Sequence, residues 1–510
     1  MRSLRLAAML CMAPLAAAAA QRLTAADSAL VARLLLAEDR RDTTRAAYAD
    51  GLTHADARIR TIAQRGLARS LDPVYSRRDS LAPLPAPPHY DEPAWRLRYR
   101  ALGNKNDDCA ALAKALADSA WAVRLRAADL VTASCAGDAT IRGALAGWGA
   151  TLPNTAARTA GGVSWHPTAH AIVAFARIAP NDARSDLFRF TKNPIPQVRA
   201  YTARAAALLG DTATLRTFAT DKDDNVAEAA ITGLARVSGH ADDDAYLTAL
   251  ASGRKPVVRA AAVALKGSPR GPAVLTGAIA AAERLRRDSS ETSRRVRAAV
   301  AERVAEFATA ADWPRVAPLT ADFDCAIARA YAAVGTKLGV ANAAPRCTPM
   351  PITLPPDAVR LALGAPVMLR VTMAAASGGG SFTVRLRGDN APVMAARVLQ
   401  LVKAHWYNGN DWHRVEPDFV TQGGAPGANE YHGHPRFMRD ELGIIPHARG
   451  TIGMSTGEHD TGDGQWFFNL RDNLRLNRDY TVFAEVTQGI EVVDGILEGD
   501  RIAKIEVIAR

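Results

Sequence analysis

The strongest constraint on how this chain can fold is a short pattern that recurs through its first two thirds. A turn containing Asp, Asn or Pro is followed by Val, in most copies Val-Arg, and then by small apolar residues at helical spacing. The copies are centred on Val123, Val198, Val226, Val258 and Val296. From Val198 onward the intervals are 28, 32 and 38 residues, the length of a helix–turn–helix unit. One such unit cannot bury its apolar face alone, so neighbouring units must stack into a continuous core.

Residues 21–345, which carry this pattern, resemble HEAT-type repeats. The resemblance implies an α-solenoid in which the turn aspartates and the helix arginines form a ladder. It also implies a long concave surface that suits a protein partner. An irregular helical bundle is the alternative interpretation of the same residues.

The hydrophobic period changes from 3.6 to 2 once this array has ended in a proline-rich stretch. Alternating apolar residues predict a strand pair within residues 357–373, and the Gly-rich run at 377–381 has the composition of a flexible linker. We therefore predict a Pro/Gly-rich linker with a strand pair at 346–381, followed by a β-rich domain at 382–510. The predicted fold class is multidomain α + β.

The N-terminus has the features of a secretory signal. Two arginines precede an apolar run of 15 residues, Leu6–Ala20, which ends in consecutive alanines. This run is shorter than the roughly 20 residues of a membrane-spanning helix, and no later segment is long enough to span a bilayer. We predict that residues 1–20 are removed and that the protein is periplasmic or secreted. Because the bulky Leu10 precedes Cys11, we do not expect a lipid anchor at that cysteine.

Four cysteines remain after removal of the signal, an even number in an oxidising compartment. Pairing of sequence neighbours would join Cys109 to Cys135 and Cys325 to Cys347, although three connectivities are possible. No CxxC motif supports a zinc or redox site. The net charge of +11 comes from basic residues that are spread along the chain without a Lys/Arg block, so we expect no nucleic-acid partner.

The last 130 residues contain six segments that carry the functional information. In chain order they are Trp412–Gly424, Arg449–Thr456, Gly464–Asn469, Leu476–Phe483, Gly489–Asp494 and Gly499–Ile502.

Taken in this order, these segments resemble the cyclophilin-type peptidyl-prolyl cis-trans isomerases, including the step of eleven residues from Met454 to Gln465. The resemblance implies an eight-stranded antiparallel β-barrel capped by two helices, at 392–406 and near 490–497. It implies that proline-containing polypeptides are the substrates and that no cofactor or metal takes part.

The same resemblance assigns roles to individual residues. The catalytic set is Arg414, Phe419, Gln422 and Phe467. The substrate-binding set is Val420, Met454, Ser455, Thr456, Gln465, Leu476 and Tyr480. Two residues depart from the family pattern: Arg475 stands where a rim aromatic is common, and Trp466 replaces a phenylalanine and should be core packing.

Three other interpretations of these residues are weaker. His432 and His434 are spaced as metal ligands can be, but no third ligand stands nearby in the sequence. The stretch from Gly453 to Gly457 matches the nucleophile elbow of serine hydrolases, but the strand–turn–helix context is missing. The only later histidine is His459, four residues after Ser455, so the required order of Asp and then His is not present. Asp440 and Glu441 are expected to be structural hydrogen-bond acceptors rather than acids or bases.

The function predicted for the whole chain is isomerisation of X–Pro bonds in exported proteins, with the helical repeats binding protein. A catalytically weak scaffold that binds proline peptides and a holdase chaperone are the alternatives.

Overall fold

The computed structural model describes residues 23–72, 74, 83–158 and 162–509. The predicted signal at 1–20, including Cys11, lies outside the described residues. The α-helices are α1 (Ala25–Asp39), α2 (Ala49–Leu52), α3 (Ala57–Leu71), α4 (Ala94–Leu102), α5 (Cys109–Leu116), α6 (Trp121–Leu130), α7 (Ala139–Ala150), α8 (His166–Ile178), α9 (Pro180–Asp186), α10 (Pro196–Leu209), α11 (Thr212–Phe218), α12 (Asp224–Ser238), α13 (Asp243–Leu250), α14 (Lys255–Ala264), α15 (Gly271–Arg286), α16 (Arg294–Phe307), α17 (Trp313–Val316), α18 (Cys325–Lys337), α19 (Ala358–Ala362), α20 (Pro392–Lys403) and α21 (Ile490–Asp494). Across the described ranges, none of these helices combines the length and the hydropathy needed to span a bilayer.

The strands are β1 (Ala321–Asp322), β2 (Arg346–Cys347), β3 (Met368–Met373), β4 (Ser381–Leu386), β5 (Trp412–Val415), β6 (Val420–Gly423), β7 (Thr451–Met454), β8 (Trp466–Asn469), β9 (Val482–Gln488) and β10 (Ile502–Ala509). The last eight form one antiparallel sheet in the order β10-β3-β4-β9-β7-β8-β6-β5, and β1 pairs with β2.

The helices from α8 to α18 form the predicted stack of helical repeats. Alternate helices, namely α8, α10, α12, α14, α16 and α18, pack successively against one another around one hydrophobic core. The recurring aspartates begin the helices: Asp223 caps α12 by accepting two first-turn N–H groups at 3.0 and 3.2 Å. The ladder is also present, because Arg199 donates to Asp221 at 2.8 and 2.9 Å and Arg297 to Asp322 at 2.7 Å.

Two disulfides tie this helical region together. Cys109 at the start of α5 is bonded to Cys135 in the turn that follows α6, and Cys325 at the start of α18 is bonded to Cys347 on β2. These are the pairs of sequence neighbours among the three possible connectivities.

The eight-stranded sheet curls until its edge strands meet. Trp412 at the start of β5 donates its N–H to the carbonyl of Asp500, and Gly499 donates back to Trp412, both at 2.8 Å. A third bond of 2.8 Å runs from Gly409 to Ile502 on β10. The helix α20 packs against β9 and β10, and α21 packs against β4, so both expected capping helices are present.

The predicted linker at 346–381 is wrong in two respects. Residues 358–362 form the helix α19 instead of the first strand of a pair, because Ala358 and Leu361, three residues apart, are both buried on one helix face against α20. Residues 368–373 form β3, which pairs with β4 and β10 inside the sheet. The glycine run is the turn of the β3–β4 hairpin, where residues 378–380 all have positive φ.

The helices α1 to α3 share their core with the sheet rather than with the repeats, although they fall in the range 21–345 predicted as solenoid. Three buried arginines hold the helical part against the sheet domain. Arg69 donates to two backbone carbonyl groups of the sheet domain at 2.6 and 2.7 Å. Arg96 bonds Asp494 at 2.8 Å, and Arg158 bonds Asp500 at 2.7 Å. The two parts of the chain therefore pack directly against each other.

Candidate active site

A row of residues across four strands forms the base of a cleft on the face of the sheet opposite the core. Arg414 on β5 is paired with Gln422 on β6. Gln422 is paired in turn with Phe467 on β8, and Phe467 with Gly453 on β7. Directly paired residues of antiparallel strands project from the same face. The register therefore brings a guanidinium, an amide and an aromatic ring together from three separate segments.

The apolar part of the cleft is a small hydrophobic cluster of its own, separate from the core of the sheet. Val420, Phe467 and Leu476 are buried in it, and Phe419 and Tyr480 pack against it half-exposed. All five belong to the residue sets predicted from the sequence. Together they provide an apolar surface of the kind that a proline ring can contact.

The ring of Phe467 is held from three sides. A Cβ at Gly453 would lie 2.3 Å from the ring, so only glycine allows the ring to lie across β7. The imidazole of His447 stacks against it, with centroids 5.6 Å apart, and Tyr480 meets it edge-on at 5.4 Å. His447 is itself fixed, since its Nε2 donates to the carbonyl of Tyr480 at 3.0 Å.

The guanidinium of Arg414 is oriented by two acceptors. Its Nε donates to Glu416 at 2.8 Å, its Nη2 also donates to Glu416, and its Nη1 donates to Gln422 Oε1 at 3.2 Å. Gln422 Nε2 donates onward to Ser455 Oγ at 3.1 Å. An arginine has five N–H groups, and among the described residues these three bonds leave two of them without an acceptor.

The second glutamine of the site presents an oxygen without a partner. Gln465 Nε2 donates to Asp463 at 3.0 Å, and the backbone N–H of Gln465 donates to the same carboxylate at 3.2 Å. Burial raises the pKa of Asp463 to about 6, and the bonds from Gln465 act in the opposite direction. Among the described residues, nothing donates to the buried Oε1 of Gln465. This oxygen is therefore an unused acceptor on a residue that lines the cavity.

These side chains enclose a cavity of about 350 Å³. Every residue of the two predicted sets lines it except Met454. Met454 is fully buried in the sheet core, where it is paired with Trp466. Its assignment to substrate binding is wrong because it follows Gly453 on β7, and successive residues of a strand point to opposite faces.

The two departures from the family pattern have clear structural places. The guanidinium of Arg475 lies 4.4 Å from the centre of the Phe419 ring, so a cation–π contact covers the rim. Trp466 is fully buried and its ring stacks on Tyr407 with centroids 4.4 Å apart, as expected for core packing.

The paired acidic residues at 440 and 441 are structural, as expected. Asp440 accepts the backbone N–H of Asp460 at 3.0 Å. Glu441 accepts two N–H groups of the first turn of α20, at 3.2 and 2.7 Å. Neither residue lines the cavity.

The solenoid also contributes to the wall of the cavity, through Thr292, Arg294 and Arg295 at the start of α16. Arg295 donates to Glu430 at 3.2 Å, and the backbone N–H of Phe437 donates to Glu291 at 2.7 Å. Sequence reasoning had no signal for this contact, because it joins segments more than a hundred residues apart.

Two further residues that shape the cleft were also missed. Glu416 stands two positions after Arg414 and Asp463 two positions before Gln465. In extended backbone that spacing puts two side chains on one face, so strand periodicity could have identified both.

Comparison with known proteins identifies related families for two parts of the chain. A family model described as cyclophilin type peptidyl-prolyl cis-trans isomerase matches residues 370–508, and a HEAT repeat model matches residues 185–266. A peptidyl-prolyl cis-trans isomerase of Helicobacter pylori is 34% identical over 130 residues, which cover 25% of this chain and 80% of that protein. Peptidyl-prolyl cis-trans isomerase B of Bacillus subtilis is 31% identical over 131 residues, 25% of this chain and 92% of that protein. A cyclophilin type isomerase structure from Cryptosporidium parvum aligns with a TM-score of 0.27 and 19% identity, over 28% of this chain and 99% of that chain.

Proposed function

Because this chain belongs to the cyclophilin-type peptidyl-prolyl cis-trans isomerases, we propose that its cleft accelerates rotation about X–Pro bonds of exported polypeptides, with Arg414 as the catalytic donor. The observation that carries the proposal is the row of Arg414, Gln422 and Phe467 on one face of the sheet. It sets a positively charged donor beside an apolar surface, in a cavity large enough for a short peptide segment.

The chemistry needs no covalent intermediate. Rotation of an X–Pro bond breaks amide resonance and meets a barrier of about 18–20 kcal/mol. As the bond twists, the lone pair of the imide nitrogen leaves conjugation and becomes a hydrogen-bond acceptor. A donor aimed at that nitrogen stabilises the twisted state more than the planar one, which is the requirement for catalysis.

Arg414 fits this role because its charge is permanent and its orientation is fixed. Glu416 and Gln422 take three of its N–H groups, and the two free ones can reach a ligand in the cavity that Arg414 lines. The proline ring packs on the cluster of Phe467, Val420 and Leu476, and this contact sets the imide nitrogen opposite the guanidinium.

The peptide backbone is held at the other wall of the cleft. The free Oε1 of Gln465 accepts a substrate N–H, which fixes one side of the rotating bond while the other side turns. Ser455 and Thr456 line the same wall and flank this contact.

The helical repeats, in this proposal, bind protein, and the N-terminal segment 1–20 directs the chain out of the cytoplasm. Support comes from the stacked helices α8 to α18, since such arrays present extended binding surfaces, and from the signal-like residues at the N-terminus.

A protease-coupled isomerisation assay on a short proline peptide tests the enzymatic part of the proposal. We expect Arg414→Ala to lower kcat/KM by about 100-fold or more, the usual cost of removing a donor to the transition state. Arg414→Lys should recover only part of this loss, because it keeps the charge without the fork that Glu416 and Gln422 hold. Arg370→Ala, at an exposed position of β3 away from the cleft, is the matched control and should match the wild type.

Equal rates for the wild type and Arg414→Ala would end the catalytic assignment. If a peptide binds without faster exchange in NMR line shapes, the protein is a proline-peptide scaffold. If aggregation of an unfolded client is suppressed equally by the wild type and Arg414→Ala while neither accelerates isomerisation, it is a holdase.

A further inference from the structure

A groove runs between the solenoid and the sheet domain and is continuous with the isomerase cleft. Its volume is about 1390 Å³, above the 300–1,000 Å³ that is usual for small-molecule sites. Arg414 and Glu430 line both the groove and the cleft. A chain that leaves the cleft past these two residues therefore enters the groove directly.

The solenoid side of the groove is formed by one face each of two neighbouring helices. On α10 the lining residues include Ala200, Arg204 and Leu208, and on α12 they include Glu228 and Arg236. Steps of four and eight residues keep these side chains on one helix face. Leu208 is 44% exposed, although most leucines of the repeats are buried, so the face offers apolar surface as well as charge.

The groove contains exposed cations that have no ion-pair partner among the described residues. Arg204, Lys222 and Arg236 are exposed in the groove. In the ranges that the structure describes, no carboxylate lies within ion-pair distance of any of them.

Four acidic residues of the groove pair with an arginine or a hydroxyl group, and a fifth, Asp223, accepts the N–H groups at the start of α12. Asp224 bonds Arg254 at 2.6 Å, and Asp411 bonds Arg501 at 2.7 Å. Glu430 accepts the hydrogen bond from the Arg295 guanidinium that is described above. Glu498 accepts the hydroxyl hydrogen of Tyr201 at 3.0 Å. Burial raises the pKa of Glu228 to about 7, which reduces its negative charge at neutral pH.

From this geometry we infer that the groove binds an acidic segment of the same polypeptide whose proline occupies the cleft. The inference rests on the proposed function, because it takes the cleft as the place of the proline. The groove is long and open enough for extended chain, its unpaired cations attract carboxylates, and its continuity with the cleft at Arg414 puts both segments on one substrate. The repeats thus select substrates by the sequence beside the proline.

The test compares peptides that share one proline core and differ in their tails. Each tail has about ten residues, which span up to roughly 35 Å when extended, and is rich in either Glu and Ser or Lys and Ser. Tails are attached at the N-terminal or the C-terminal side of the core. At low salt, we expect the Glu tail on one of these sides to lower KM by about 3- to 10-fold relative to the Lys tail, from two or three exposed charge contacts.

The groove variant is Arg204→Glu with Arg236→Glu. It should abolish the advantage of the Glu tail and leave kcat/KM for the untailed core unchanged, since neither residue lines the cleft. The unchanged core rate also verifies that the variant is folded. Arg329→Glu is the matched control, because Arg329 is an exposed arginine of α18 outside the groove, and it should keep the advantage.

Salt provides a second measurement that needs no variant. Raising the salt from about 0.02 M to about 0.5 M should remove most of the tail effect, because exposed charges are then screened. The inference is overturned if the wild type treats both tails alike, or if the double variant keeps the preference. A third outcome separates this inference from the proposed function. If the untailed core is not isomerised, the proposed function fails. If fluorescence anisotropy then still shows binding of the Glu-tailed peptide that depends on Arg204 and Arg236, the acidic preference of the groove stands.

Discussion

Replacement of Asp463 by Asn should weaken substrate binding without slowing the rotation step. In the wild type the Asp463 carboxylate accepts both the backbone and the side-chain N–H of Gln465. This arrangement turns the amide so that no described residue donates to its Oε1, the oxygen that accepts from the substrate in the proposed function. An asparagine at 463 can itself donate to that oxygen, and the substrate N–H then has to compete with it.

The magnitude follows from one hydrogen bond. A neutral bond of this kind contributes about 0.5–1.5 kcal/mol net, so KM should rise by about 2- to 13-fold. The bond forms equally in the planar and the twisted states, so kcat should stay within about twofold. Gln465→Ala should raise KM similarly, and combining both changes should add little, because the two residues act through one contact.

Acidity should produce the same effect in the unmodified protein. Since burial raises the pKa of Asp463 to about 6, the carboxyl gains a proton below that pH and loses acceptor capacity towards Gln465. KM should therefore rise as the pH falls through about 6, whereas KM of Asp463→Asn should stay level. The effect of this proton on the stability of the fold has the opposite sign. Because the pKa of Asp463 is raised in the folded protein, the folded protein binds the proton more tightly than the unfolded chain does. The stability that the proton contributes is therefore lost as the pH rises from about 4 to about 6.

NMR exchange on a proline peptide is the suitable assay, because it involves no protease with a pH dependence of its own. Rates are measured from about pH 5 to about pH 8, on both sides of the raised pKa of Asp463. A wild-type KM that does not change with pH, or an Asp463→Asn enzyme with unaltered KM, would refute the role of Asp463 as a positioning residue. A fall in kcat alone would refute it as well.

Three further predictions concern the rim and the stability of the fold. Arg475→Ala removes a cation–π contact worth about 0.5–1 kcal/mol at an exposed site, and should raise KM by about 2- to 5-fold; an unchanged KM would mean that the guanidinium does not order the rim. Arg69→Ala leaves buried partners unsatisfied and should lower the free energy of unfolding, measured in urea titrations, by about 3–5 kcal/mol. The control is Arg58→Ala at an exposed position, which should lower it by less than about 1 kcal/mol. Equal losses in the two variants would contradict this prediction. Changing both Cys109 and Cys135 to Ser opens a loop of 26 residues and should cost about 3 kcal/mol, measured as a lower Tm of the helical part under oxidising conditions, with no change in isomerase kinetics.

Much of the fold follows from local patterns. Periodicity of 3.6 and the recurring turn before each helix predicted the stacked helices, and the order of six short segments predicted the sheet domain. The errors lie where a short segment satisfies two periods. Around Leu361, an alternating apolar pattern and a one-sided helix are both compatible with the same few residues, and only contact with α20 selects the helix. The glycine run at 378–380 suits a linker by composition, but pairing of β3 with β4 makes it a hairpin turn.

The sequence by itself determined which groups are present in the cleft: a permanently charged donor, apolar rings and two amides. Arg414, Gln422 and Phe467 among them lie in strands, whose period of two can be read directly. Tertiary structure decided which of them meet. Strand register put Gly453 in the row with Phe467 and turned Met454 into the core, because a shift of one residue reverses the face of a strand. The packing of α16 beside the cleft, and of α10 and α12 along the groove, also depends on the tertiary fold. Those contacts join distant segments whose local patterns contain no information about each other.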